Sequence, residues 1–222
     1  MTDTKLEKFL SAIEREWAWR QRELIFFKQA LAGVDVYQKQ AMTRAGILLL
    51  YAHWEGFIKQ ISQKFLEYFT NEDIGSVPRY VIASHLAQMH GNLLSKYTKI
   101  SAADNSLNCI SEGATVCNAI HGIINTESNL DSKTLKKITD SVGINFSEFE
   151  TRVQFIDRIF VSERHAIAHG EGRPLTEDNY IEIEKGVTEL MMIFKKNIID
   201  SAAYANKFRN SGNQHTCLKI QI

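Results

Sequence analysis

Helix breakers are scarce in this chain. Its 222 residues hold two prolines, Pro78 and Pro174. Long stretches therefore lack the residue that interrupts a helix, which favours helical architecture over a sandwich or barrel. Cysteine is scarce too. Cys109, Cys117 and Cys217 are an odd number without Cys-x-x-Cys spacing, which argues against a disulfide framework and a zinc site and fits reduced thiols in a cytoplasmic protein. Neither sign of charge prevails: Lys plus Arg equals Asp plus Glu, at 26 each. A general nucleic-acid coat carries a basic excess and is disfavoured, whereas a local basic site stays open because a field depends on distribution as well as sum. Long apolar runs are missing. The first residues, Met1 to Lys5, contain no apolar h-region, so no signal peptide is expected. The most apolar run, Ala45 to Ala52, is too short to span a bilayer.

What is present suits one folded domain. Hydrophobic residues make up 44% and charged residues 23%, enough for a real core. Leu6, Phe9, Leu10, Ile13, Trp17, Leu24 and Phe27 recur at threes and fours, which predicts a first helix from Thr4 to about Ala32. Gly33 stops it and Asp35 caps the next. The second helix is expected from Val36 to about Phe69, and its stretch Ile47–Ile58 is apolar nearly all round, as in the central helix of a bundle. Two long helices joined by a short loop should pack antiparallel.

Between about 70 and 129 the periodicity weakens, and we read a less regular helical insert with a helix from Val81 to Leu94. Asp131 or Ser132 then caps a helix from Lys133 to Val142, ended by Gly143. Ser147 caps a stretch from Glu148 to Ala168, ended by Gly170 and Gly172. Thr176, with Glu177 and Asp178, opens a last long helix to about Ala205. The single domain is thus placed at 1–205. The polar tail 206–222 is expected to be loose, with a short strand at Cys217–Ile222.

Chemistry concentrates in Glu163-Arg164-His165-Ala166-Ile167-Ala168-His169-Gly170. On an ideal wheel of about 100° per residue, Phe155, Ile156, Ile159, Phe160, Ala166 and Ile167 fill one apolar arc. Arg164 and His169 fall outside it on opposite flanks, roughly 140° apart. A long Arg and a helix-terminal His can converge on a groove across the helix end, or on a second copy across a two-fold axis. Such a pair suits RNA, which carries its own nucleophile in the 2′-hydroxyl. An imidazole moves the proton and a guanidinium holds the phosphate. The same residues have plainer readings: a terminal His also complements a helix dipole, and Arg-x4-His occurs often by chance.

The segment resembles the Arg-polar-x-x-x-His signature of the HEPN superfamily, with Arg164, His165 as the polar residue, and His169. Three further strings are similar to its stand-alone bacterial MAE-type branch: Leu49-Leu-Tyr-Ala-His-Trp-Glu-Gly-Phe-Ile58, Glu127-Ser-Asn-Leu130 and Ile167-Ala-His-Gly170. The resemblance covers roughly residues 5 to 200. It implies an all-α, HEPN-type bundle of long antiparallel helices, usually dimeric. Many members are metal-independent ribonucleases in toxin–antitoxin or antiphage systems. It further implies an RNA substrate and a 2′,3′-cyclic phosphate product, with no cofactor and no metal. A cognate antitoxin or defence partner is the partner it suggests beyond a second copy. Two positions depart from the pattern. The residue after Arg is most often Asn and is His165 here. The Tyr that often follows two residues after the His is Glu171, so regulation by tyrosine modification there is not expected.

In this reading Arg164 and His169 are catalytic, and His165, Glu163 and Glu55 support them. His165 and His169 are also spaced to hold a metal, but no third ligand is apparent. Glu163, inside the apolar arc, and Glu55, in an apolar helix, are expected to pair with a buried basic group or accept N–H bonds. Lys133, Lys136 and Lys137, with Lys195 and Lys196, read as a solvated face and are also the candidates for phosphate contacts. His53 reads as packing, and Trp17, Trp19, Phe26, Phe27, Phe65 and Phe69 as core or dimer contacts. The alternative function is a non-catalytic HEPN-like module that dimerises and binds nucleic acid, a nucleotide or a partner protein.

Overall fold

The computed structural model describes residues 4–69, 72, 77–78, 81, 124–127, 129–172 and 174–210, with side chains to Lys207. All regular elements among them are helical. Helix α1 spans Thr4–Gly33 and α2 spans Val36–Tyr68. Asp35 begins α2 as its spacing predicts: the carboxylate accepts from the Tyr37 and Gln38 N–H groups at 2.8 and 3.0 Å, two donors with no partner inside the helix. The link Val34–Asp35 is so short that α2 must fold back along α1. Partners confirm it. Phe9 packs on Phe65, Trp17 on Phe57 and Trp19 on His53, so numbers rise on one helix as they fall on the other.

Helix α6, Glu177–Asn210, completes the bundle. It runs antiparallel to α1, with Lys28 paired to Glu184 and Lys195 to Glu14. It runs parallel to α2, with Lys39 paired to Glu177. Its start uses a reciprocal cap in which Asn179 N–H donates to Thr176 Oγ1 and Thr176 N–H donates to Asn179 Oδ1. The helix extends past the expected end near Ala205, to Asn210. The core lies where α2 meets α1 and α6. Ile47, Leu50, Trp54, Phe57, Ile58 and Ile61 meet Ile13 and Leu24 from α1 and Val187, Met191 and Phe194 from α6, all buried. Gly46 is required here. A β-carbon would strike the rings of Phe27 and Tyr180, which pack at 5.5 Å between centroids.

One polar cluster interrupts the α1–α2 seam. Arg20 is buried and its guanidinium donates to Glu16 Oε2 at 2.6 Å and to the Glu16 carbonyl at 2.9 Å, while lying over the Trp19 and Phe57 rings. Burial disfavours the charged Glu16 carboxylate. Hydrogen bonds from Arg20 and Trp19, with the charges of Arg20 and Lys64, outweigh that and hold its pKa below the usual range.

Among the described residues, four shorter elements lie between α2 and α6 in the chain. Helix α3 is Ser132–Ser141, capped by Asp131 through the Thr134 N–H at 2.8 Å, and Gly143 follows with φ of +67°. The expected continuous helix Glu148–Ala168 is instead divided. Helix α4 covers only Ser147–Glu150, Phe155–Val161 is π-helical, and α5 is Ser162–Ala168. Ser147 does not cap; its N–H donates to Asn145 Oδ1 at 2.9 Å. The i→i+5 pairing of a π turn admits one extra residue, about 100° of α-helical rotation. An ideal wheel started at Phe155 therefore loses phase. Ile159, assigned to the apolar arc, is 45% exposed, whereas Ile156, Phe160 and Ala166 are buried.

The insert at about 70–129, its helix Val81–Leu94, and the strand Cys217–Ile222 fall almost wholly outside the described residues. No helix among the described residues is long and apolar enough to cross a membrane.

Candidate functional site

The site is assembled on α2. Tyr51 and Trp54 project from its buried side and grip one residue of the segment before α3 from both directions. The Leu130 N–H donates to the Tyr51 hydroxyl at 2.6 Å, and Trp54 Nε1–H donates to the Leu130 carbonyl at 3.2 Å. Glu55 holds the same segment slightly upstream, accepting from Thr126 Oγ1 at 2.5 Å. Between these anchors the chain turns sharply. Glu127 adopts a left-handed φ of +52°, and Asn129 N–H closes the turn on the Thr126 carbonyl at 2.9 Å. Two of the strings singled out in the sequence, Leu49–Ile58 and Glu127–Leu130, thus meet through hydrogen bonds.

The Arg-polar-x-x-x-His signature joins them at the same tyrosine through its arginine. Arg164, half-buried on α5, lays its guanidinium over the Tyr51 ring, with its carbon 4.2 Å from the centroid. This is close enough for a cation–π contact. The other edge of the tyrosine touches Phe160 of the π segment at 5.8 Å between centroids. Burial raises the Tyr51 pKa to about 12. The Leu130 hydrogen bond and the Arg164 charge pull it down, while the Glu55 charge and hydrogen bond push it up. Tyr51 is therefore an uncharged, fixed surface at neutral pH.

His165 and His169 lie at the open end. Both are exposed, and their rings stand 4.3 Å apart between centroids. The backbone ends the helix between them: His169 N–H donates to the His165 carbonyl at 3.0 Å, and Gly170 turns away with φ of +77°. That conformation suits glycine. Arg164 therefore points to the bundle, whereas the two imidazoles face solvent on the same short helix.

The supporting residues separate. Glu55, expected to meet a buried base or N–H donors, accepts from the Thr126 hydroxyl among the described residues. Glu163 is half-buried on α5. On α3, Lys137 pairs with Glu127 at 2.7 Å and Lys136 with Asp140 at 3.8 Å, while Lys133 is exposed. Lys195 pairs with Glu14 and lies over Trp17. His53 is buried as a packing residue, with the Trp19 ring edge-on at 5.3 Å and a Glu23 carboxylate oxygen 3.0 Å from its Nε2. Of the aromatics, Phe65 and Phe69 are buried and Trp17 and Phe27 are half-buried. Trp19 and Phe26 are open to solvent, at 41% and 71%.

Two residues escaped the sequence reading. Tyr51 lay inside a recognised string, but nothing in its spacing revealed the arginine above it. Asp157, in the π segment, accepts from Ser132 N–H at 2.8 Å and Ser132 Oγ at 2.6 Å, tying the start of α3 to the element that leads into Arg164. An acid beside an apolar helical face was the only available signal.

The described residues contain no group of three or more His, Cys, Asp or Glu side chains placed to hold a metal ion. Comparison with curated proteins and with solved structures gave no match. Comparison with family models gave one that does not single out the MAE-type branch. It carries the description RiboL-PSP-HEPN and matches residues 15–200, so the chain belongs to the RiboL-PSP-HEPN family of the HEPN superfamily.

Proposed function

We propose that the protein is a metal-independent endoribonuclease whose reaction is carried by Arg164 and His169. The observation behind this reading is the arrangement at the end of α5: a guanidinium braced on the Tyr51 ring, followed five residues later by an exposed, helix-terminal imidazole. Family membership supports it, since many HEPN proteins are ribonucleases. In the proposed reaction Arg164 binds the scissile phosphate and offsets the charge that builds on its oxygens. His169 takes the 2′-hydroxyl proton as the 2′-oxygen bonds to phosphorus. The bond to the 5′-oxygen breaks, and that oxygen leaves with a proton returned by an imidazole. The product is a 2′,3′-cyclic phosphate. His165, its ring close to that of His169, orients substrate. The biological setting we infer is a toxin or antiphage effector in the cytoplasm, with a cognate antitoxin or defence protein as regulator.

A homodimer completes this proposal. One Arg–His pair is a sparse site, and the exposed imidazoles stand at an open helix end where a two-fold copy could add its own pair. Domain limits of 1–205 with a polar tail are part of the same reading.

One observation favours a second reading, a binding module without catalysis. Lys136 and Lys137, candidates for phosphate contacts, are already matched with acids, and the whole chain is neutral. The readings separate on incubation of the purified protein with total RNA in chelator. New 2′,3′-cyclic ends that depend on His169 establish the nuclease. Binding without new ends establishes the module.

A further inference from the structure

We infer that Tyr51 is a positioning residue for the proposed reaction: its ring is the platform that fixes the Arg164 guanidinium for the scissile phosphate. The inference rests on the phosphate-binding role proposed for Arg164 and adds what sets its geometry. Arginine has many rotamers, and a site that must hold a phosphate within a fraction of an ångström needs something to remove them. The Tyr51 face does this from 4.2 Å, where a planar cation can stack.

The platform is itself fixed on three sides. Its hydroxyl takes the Leu130 N–H at 2.6 Å, Phe160 packs on the ring at 5.8 Å, and Glu55, one helical turn along α2, sets its charge near the hydroxyl. Leu130 is anchored independently by Trp54, and Glu55 by Thr126. The ring is 3% exposed, so it does not reach substrate itself. A purely structural tyrosine would need only the core contacts and the Leu130 hydrogen bond. Here the face left by those contacts carries the one motif residue that points inward.

Two measurements on the full chain test this. The first needs no catalysis. In protein labelled with ¹⁵N in arginine side chains, the Arg164 Nε–Hε signal is assigned by its loss in R164K. A guanidinium over an aromatic face is shifted upfield by the ring current. The shift is expected in the wild type and in Tyr51→Phe, and lost in Tyr51→Leu. An unshifted wild-type signal overturns the platform even if the Leu variant does not fold.

The second measurement is single-turnover RNA cleavage. Tyr51→Leu is expected to lower kcat by about 10²-fold, the scale of a misplaced group, and Tyr51→Phe by clearly less. In an Arg164→Ala background the Leu substitution should add nothing, because both act through one guanidinium. An equal further loss in that background means a structural role only and overturns the inference. If the wild type shows the shifted signal but cuts no RNA, the nuclease reading falls and the stacking stands.

Discussion

The Phe155 ring, in the π segment, fills the space beside Gly186 that any side chain on α6 would need. The π segment is therefore locked against the bundle at one small residue. Gly186→Ala would force the ring aside, and overpacking of this kind costs about 1–3 kcal/mol. At roughly 2–4 °C per kcal/mol for a chain of this size, scanning calorimetry should show a clear drop in Tm. RNA cleavage should weaken too, since α5 follows directly. A Gly186→Ala protein as stable as the wild type would show that Phe155 has room to move.

Trp54 and Leu130 give a second stability test. Trp54→Phe keeps a buried aromatic ring but removes the Nε1–H donor to the Leu130 carbonyl. A buried acceptor left without its donor costs about 1–3 kcal/mol. The urea midpoint should fall by that free energy divided by the slope, which should itself be unchanged. An unchanged midpoint would mean that water replaces the indole.

Much of this architecture was legible in the sequence. Gly33, Asp35, Asp131, Gly143 and Thr176 mark helix ends through local backbone chemistry, and each sits at or beside the end it signals. Membership of the HEPN superfamily was equally legible, through Arg164, His165 and His169 with the strings on α2 and before α3. The π turn was not. Its extra residue is decided by the fit of Phe155 against Gly186 and of Asp157 against Ser132, contacts between segments far apart in the chain. Tyr51 under Arg164 was hidden for the same reason. Periodicity places a side chain on a face and says nothing of what crosses it. Glu55 was expected to meet a base or N–H donors; among the described residues it meets the Thr126 hydroxyl, because the Glu127 turn brings Thr126 within reach.

His53 predicts a pH dependence. Burial is the largest influence on its pKa and lowers it from the ordinary 6.5; the Arg20 charge lowers it further, and Glu23 opposes both. The unfolded chain therefore binds the proton more readily than the folded one. The stability this residue contributes is complete above pH 6.5 and is lost as pH falls from there through the folded value. Melting curves between about pH 8 and about pH 5 should show Tm falling on the acid side, and less steeply in His53→Gln. Equal slopes for the two proteins would remove His53 as the cause.

The proposed dimer has a direct readout. Light scattering at micromolar concentration should report about twice the 25.3 kDa chain mass. A strict monomer that still cleaves RNA would rule out a site shared across a two-fold axis.

The central claim is that Arg164 and His169 carry metal-independent RNA cleavage, and its most direct test is the cleavage rate of four proteins in chelator. His169→Ala and Arg164→Ala should each lose about 10²-fold or more, as loss of a positioned acid–base group or charge donor does. His165→Asn, which restores the superfamily's usual residue, should retain much of the wild-type rate. Melting should barely change in His169→Ala, because the imidazole is exposed and leaves no cavity. Substrate lacking the 2′-hydroxyl at the cut should resist, since its nucleophile is gone. The account predicts wild-type cleavage in chelator that disappears with either residue; cleavage that survives loss of His169, or stops when chelator is added, would contradict it.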